Sequence, residues 1–123
     1  LTPTLTIFSF YSHADIRGHV VRILDGDTIE VLQANNELTR IRLNGIDAPE
    51  KAQPFGQRSR QALTAMIAGK AVHIAGNNLD RYDRLLGTVW YDLTDINAVQ
   101  VINGMAWAYR YRGSSQKTEN KAR

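Results

Sequence analysis

The sequence predicts a mainly β fold with α elements: a five-stranded Greek-key barrel of the OB type carrying two or three helices. Three observations carry that expectation. Runs of apolar/polar alternation at residues 19–24, 27–33 and 38–45 are separated by the turn pairs Asp25-Gly26 and Asn35-Asn36, the pattern of a three-stranded meander. One stretch with helical spacing, residues 55–68, follows the third strand. Two further strand candidates, 71–75 and 85–91, bring the strands to five.

In chain order, residues 1–14 come first and contain no Asp, Glu, Lys or Arg. Two readings stand side by side. Ser12-His13-Ala14 has the small-residue character of the end of an export signal, which points to a secreted or periplasmic protein whose working part starts near Asp15. Thr4, Thr6 and Ile7 equally suit an ordinary extended arm. The main domain is expected over residues 15–113. Within it, Ala62, Leu63, Met66 and Ile67 fall at helical spacing and Gly69 stands where that first helix stops. The charged loop 77–84 separates the last two strands. A second helix begins at Thr94 or Asp95, either able to cap it, and runs through Ile96, Val99 and Ile102 to Gly104. Residues 114–123 have almost nothing to bury and form a polar tail or the start of a C-terminal helix.

The 123 residues suffice for one core without staples. With no cysteine, the chain can form no disulfide, thiolate metal site or thiol nucleophile. No apolar run reaches membrane-spanning length, so no membrane partner is expected. The net charge of +3 and pI of about 9.5 favour a polyanionic partner, but the distribution narrows that statement. Residues 104–123 hold five Lys/Arg against one Glu, net +4, leaving net −1 for residues 1–103. Contact with nucleic acid therefore rests on local charge plus the tail. A monomer is expected, and no protein partner is inferred.

The chemistry is concentrated between residues 25 and 50. Asp27 and Asp47 sit at strand ends that a meander brings together, and two converging carboxylates repel unless a cation lies between them. An oxygen-only donor set suits a hard ion such as Ca²⁺. Arg42 and Glu50 flank the same place, so a guanidinium and a spare carboxylate accompany the cation, the parts needed to cut a phosphodiester. Arg42 lies five residues before Asp47, an odd separation that places the two on opposite faces of a strand unless the chain bends, and Gly45 allows the bend.

Three motifs, Asp25-Gly26-Asp27-Thr28, Arg42-Leu43-Asn44-Gly45-Ile46-Asp47-Ala48-Pro49-Glu50 and Asp80-Arg81-Tyr82-Asp83-Arg84, resemble those of the staphylococcal (micrococcal) nuclease family, the thermonuclease-like domains, over residues 18–112. The resemblance implies the same barrel and a calcium-dependent endonuclease. Such an enzyme hydrolyses DNA and RNA with little sugar specificity and leaves 3′-phosphate and 5′-hydroxyl ends; stacking on aromatic side chains needs unpaired bases, so single-stranded or breathing DNA is the expected preference. It further implies that Asp27, Asp47 and the Ala48 carbonyl hold Ca²⁺ and that Glu50 orients or deprotonates the attacking water. Arg42 and Arg84 would stabilise the phosphate at the transition state. Tyr82, Tyr109 and Tyr111 are the base-stacking candidates. This chain departs from the family in having Ala48 where Thr is common, a shorter loop at 51–54, and one residue fewer after Gly104.

Each residue also has a plainer reading. Asp25 and Asp27 suit a hairpin turn, Arg42 and Arg84 suit a solvated surface, and the tyrosines suit rim packing. Trp90 and Trp107 are expected in core or rim packing. His13, His19 and His73 lack metal-ligand spacing. The competing functional class is a noncatalytic OB module that binds nucleic acid or protein.

Overall fold

Alternating apolar residues flanked by turns produce the strands of a closed barrel. The computed structural model describes residues 15–109, the Asn77 side chain excepted; the expectations for residues 1–14, for 110–123 and for Tyr111 fall outside them. Strands β1 (Asp15–Asp25), β2 (Thr28–Gln33) and β3 (Leu38–Leu43) form an antiparallel meander. Strand β5 (Ala71–Leu79) pairs with β1, and β6 (Leu85–Tyr91) pairs antiparallel with β5. The parallel pairing of β6 with β3 closes the circuit β1-β2-β3-β6-β5. The result is an OB-type five-stranded barrel.

Short β4 (Ile46–Asp47) pairs with β8 (Trp107–Ala108) in a separate two-stranded sheet, and β7 (Thr94–Asp95) extends β6. Helix α1 (Gly56–Ile67) lies between β4 and β5, and α2 (Ile96–Ile102) follows β7. Inward-facing Ile29, Val31, Ile41, Leu43, Ile74 and Val89 are all fully buried, and Leu63 and Ile67 of α1 and Ile96 of α2 join the same core. Each such side chain contributes about 1.5–3 kcal/mol by leaving water.

Four expectations change in detail. Strand β1 begins at Asp15 rather than at residue 19, because its first half pairs with β5 while its second half pairs with β2. That first half has Ile16 as its one apolar side chain, so its sequence carries little strand signal. The fourth barrel strand runs on to Leu79 past a register shift between Ala75 and Asn78, where the apolar pattern fails but the ladder resumes. The third strand ends at Leu43, since Gly45 adopts φ +82° and turns the chain into β4. Helix α2 is capped by Asp95, whose side chain accepts the Ala98 N–H at 3.0 Å, but it buries Ile96, Asn97 and Gln100 and leaves Ile102 78 % exposed. That helix therefore faces the barrel with Ile96 and two amides, and the end of the apolar row read from its sequence points outward.

Candidate active site

The turn between β1 and β2 presents Asp27. Gly26 is required there by close packing: a Cβ on it would overlap Ser59 Oγ of α1 and lie 3.0 Å from the Ala48 Cβ. It adopts no positive φ. The Asp27 carboxylate is buried and held on both oxygens, Oδ1 accepting from Thr28 Oγ1 at 2.9 Å and Oδ2 from the Ala48 N–H at 2.8 Å. Its own carbonyl accepts the Leu43 N–H at 2.8 Å, which ties the turn to the end of β3.

The bend at Asn44-Gly45 brings Asp47 back towards Arg42. Arg42 Nη1 donates to the Leu43 carbonyl at 3.0 Å and the Ile46 carbonyl at 2.9 Å, so the guanidinium spans the bend. Its Nη2 donates to Asp47 Oδ1 at 2.6 Å and lies 3.5 Å from Asp27 Oδ2. One guanidinium nitrogen thus sits between the two carboxylates. The arginine side chain is 14 % exposed and that of Asp27 9 %, whereas Asp47 is 46 % exposed and opens to solvent.

This donor set can hold a hard divalent cation. Two carboxylates of opposed origin already share one positive group, and Ala48 between them adds a main-chain carbonyl in the same short segment. Among the described residues no group of three or more His, Asp or Glu side chains gathers around a common point. Glu50 is accordingly not drawn into one ligand cluster with Asp27 and Asp47. An ion here would take few protein oxygens and leave the rest of its shell to water and substrate, which hard cations at phosphate sites accept.

Glu50 is exposed and lies on a loop of successive turns. Its backbone N–H donates to Gln53 Oε1 at 2.6 Å, its carbonyl accepts the Gln53 N–H at 2.8 Å, and the Lys51 N–H donates to Asp25 Oδ1 at 3.1 Å. Asp25 thereby anchors the Glu50 loop to the end of β1. The Glu50 carboxylate takes no hydrogen bond or ion pair from any described residue, which leaves both oxygens open to water.

Arg84 immediately precedes β6, whose register pairs Ile41 with Leu85 and Arg42 with Leu86, so it enters beside the outward face of β3. Its Nε donates to Asp80 Oδ2 at 2.8 Å and its Nη2 lies 2.8 Å from the same oxygen, while Asp80 Oδ1 accepts the Tyr82 N–H at 2.8 Å and the Arg84 N–H at 3.0 Å. Burial alone raises the Asp80 pKa, but those backbone donors and the Arg84 guanidinium outweigh it and hold the carboxyl below its ordinary 3.8. The Tyr82 ring is 65 % exposed and packs against two cations, with its centroid 5.1 Å from Arg84 Cζ and 5.3 Å from Arg81 Cζ. Among the described residues, no hydrogen bond or ion pair joins Arg84 to the Asp27–Arg42–Asp47 group.

Tyr109 donates its backbone N–H to the Gly45 carbonyl at 3.0 Å, at the bend that serves Asp47. Trp107, 46 % exposed, is the register partner of Asp47, which sets it at the rim next to the open carboxylate.

Two supporting residues are not evident from the sequence. Asn97 and Gln100, both buried on α2, each hold a turn that carries one carboxylate. Asn97 Nδ2 donates to the carbonyls of Asn44 at 2.9 Å and Gly87 at 3.1 Å, and its Oδ1 accepts the Val89 N–H at 3.0 Å. Gln100 Nε2 donates to the Gly26 carbonyl at 2.8 Å and the Ser59 carbonyl at 3.4 Å. Two amides three residues apart on a short helix are the available signal, overshadowed by the apolar residues around them.

The chain is a closed OB-type barrel in which two carboxylates converge on one guanidinium nitrogen. A model of the family described as "Staphylococcal nuclease homologue" matches residues 40–123, and the chain belongs to that staphylococcal nuclease family. It is 49 % identical over 116 residues to the micrococcal nuclease of Shigella flexneri, covering 87 % of this chain and 66 % of that protein. It is 47 % identical over 115 residues to protein ParB of Escherichia coli, covering 86 % and 64 %. An uncharacterized endonuclease of Haemophilus influenzae is 42 % identical over 113 residues, with 89 % and 64 % covered. The chain spans just under two thirds of the length of each of these relatives.

Proposed function

We propose that this chain is the working domain of a calcium-dependent nuclease that hydrolyses DNA and RNA and leaves 3′-phosphate and 5′-hydroxyl ends. The observation that carries the reading is the convergence of Asp27 and Asp47 on one nitrogen of Arg42, a few residues from the open carboxylate of Glu50. The relatives called micrococcal nuclease and endonuclease support the same reaction class.

Asp27, Asp47 and the Ala48 carbonyl would hold the ion, which would supply positive charge to the phosphoryl group. Arg42 keeps Nη1 on the Leu43 and Ile46 carbonyls, which fixes its plane and holds its positive charge beside the phosphate. Glu50 accepts a proton from water as its oxygen bonds to phosphorus in line with the departing 5′ oxygen. The phosphorus–O5′ bond breaks, the 5′ oxygen leaves with the bonding pair and takes a proton from solvent water, and Glu50 returns its own proton to solvent. Arg84, oriented by Asp80, neutralises charge that builds on the equatorial oxygens. Tyr82 offers an aromatic face to an unpaired base beside that arginine, as does Tyr109 near the bend.

The test is incubation of plasmid and single-stranded DNA with Ca²⁺ or with chelator, for the wild type and Glu50→Gln. Metal-dependent degradation is expected, faster on single strands, with kcat lowered in the variant by about 10²–10⁴-fold. Equal degradation in chelator, or DNA retarded but intact, would overturn the proposal; the second result would favour a binding module.

A further inference from the structure

Beyond Arg42, the outward face of the barrel carries a second line of charge. Arg22 of β1 pairs in register with Glu30 of β2, and Glu30 pairs with Arg40 of β3. Arg40 donates to Glu30 Oε2 through Nε at 3.1 Å and Nη2 at 2.7 Å, and Arg22 Nη1 lies 3.5 Å from Glu30 Oε1. The Glu30 side chain is 9 % exposed, whereas those of Arg40 and Arg22 are 46 % and 63 % exposed. One buried carboxylate therefore serves two solvent-facing guanidinium groups, and the row has a net charge of +1.

The position of the row follows from strand geometry. Arg40 and Arg42 are two residues apart on β3, which puts both on the outward face about 7 Å apart along the strand. That step is comparable with the separation of successive phosphates on an extended single strand. Arg84 stands at the β6 entry one residue before Leu85, the partner of Ile41, just as Arg40 stands one residue before Ile41. The row thus runs from the candidate active site across β3 and β2 to β1.

Stability alone does not account for the arrangement. A single arginine would satisfy Glu30, and a carboxylate removed from water on an outer sheet face costs desolvation that exposed ion pairs repay poorly. What the buried carboxylate does provide is a fixed plane for Arg40, whose Nη1 stays free of Glu30 and available to an anion.

We propose that the Arg22–Glu30–Arg40 row is a second phosphate-binding subsite, which holds the backbone of a single-stranded nucleic acid one nucleotide beyond the phosphodiester at Arg42. The inference rests on the nuclease reading for the direction of the strand, while its binding chemistry is independent of cleavage. The two arginines meet phosphate oxygens as forked donors, and Glu30 limits their pull so that the strand can leave.

The test is fluorescence-anisotropy binding in chelator, where no metal-dependent cleavage intervenes, at several salt concentrations. The probes are a dinucleotide and a single strand of about 12 nucleotides. Arg40→Gln is expected to weaken the longer strand severalfold more than the dinucleotide. It should also flatten log affinity against log salt by about 0.7, the change for one phosphate no longer neutralised. Glu30→Gln, which keeps the shape and removes the counter-charge, is expected to act in the opposite direction, with tighter binding and a steeper slope. Both variants weakening the longer strand together, or neither altering the slope, would overturn the subsite, because a purely structural ion pair gives one of those two patterns. A wild-type chain that shows the expected pattern yet cleaves nothing when Ca²⁺ is added would uphold the subsite and overturn the nuclease reading.

Discussion

Replacing Arg42 with Met separates its structural role from its chemical one. Met preserves much of the apolar stem and removes the guanidinium that joins Leu43, Ile46, Asp27 and Asp47. Two carbonyls lose a donor, at about 1 kcal/mol each. The Asp47 ion pair adds little, since that side chain is 46 % exposed. Asp27 is buried and keeps Thr28 and Ala48 as donors, but losing its nearby cation costs about another 1 kcal/mol. The sum is about 3 kcal/mol in metal-free protein, a fall in thermal midpoint of about 10–20 °C for a domain of this size.

The two carboxylates are then left without a shared cation, so adding Ca²⁺ is expected to raise the midpoint of the variant more than that of the wild type. Catalysis does not return with stability: kcat is expected to fall about 10²–10³-fold, because the phosphate loses a positioned donor. Differential scanning calorimetry over a Ca²⁺ titration, with turnover measured on the same samples, reads all three effects. A variant that Ca²⁺ stabilises no more than the wild type would refute the argument that Arg42 occupies the electrostatic place of the ion.

Two further predictions concern the supports of the site. Asp80→Asn is expected to lower stability by about 1 kcal/mol near neutral pH. The Asp80 carboxyl is held below 3.8 in the folded chain, so its contribution is present above that value and disappears as pH falls through the lower folded pKa. Thermal midpoints of wild type and variant should therefore converge on acidification, and a gap independent of pH would exclude the charge as its cause. Gly26→Ala forces a methyl group against Ser59 Oγ, an overpacking expected to cost about 1–3 kcal/mol. Chemical denaturation should show part of that loss restored by adding Ser59→Ala. A single variant as stable as the wild type would mean that the turn and α1 are not closely packed.

Much of the barrel is legible in the chain because β2 and β3 set Ile29, Val31, Ile41 and Leu43 inward at every second residue, the direct consequence of a two-residue period. Gly45 and the Asp25-Gly26-Asp27-Thr28 turn announce the bends, and the residues they carry can be named before any coordinates. Asn97 and Gln100 are not legible, since polar residues on a short helix read as its wet side. They face inward because the barrel rim exposes the carbonyls of Gly26 and Asn44, whose unmet hydrogen bonds cost more than burying an amide that satisfies them. The polar first half of β1 is equally hidden, its extended state being imposed by pairing with β5 rather than by its own pattern.

By itself the sequence determined the number of barrel strands, the centre of each and the position of the turns, because local periodicity and turn chemistry need no distant partner. Tertiary structure alone decided that Arg42 Nη2 lies between Asp27 and Asp47, that Asp80 holds Arg84, and that Arg22, Glu30 and Arg40 align across three strands. These relations depend on barrel closure and strand register, which bring residues remote in the chain within a few ångströms through pairings that no short window of sequence contains.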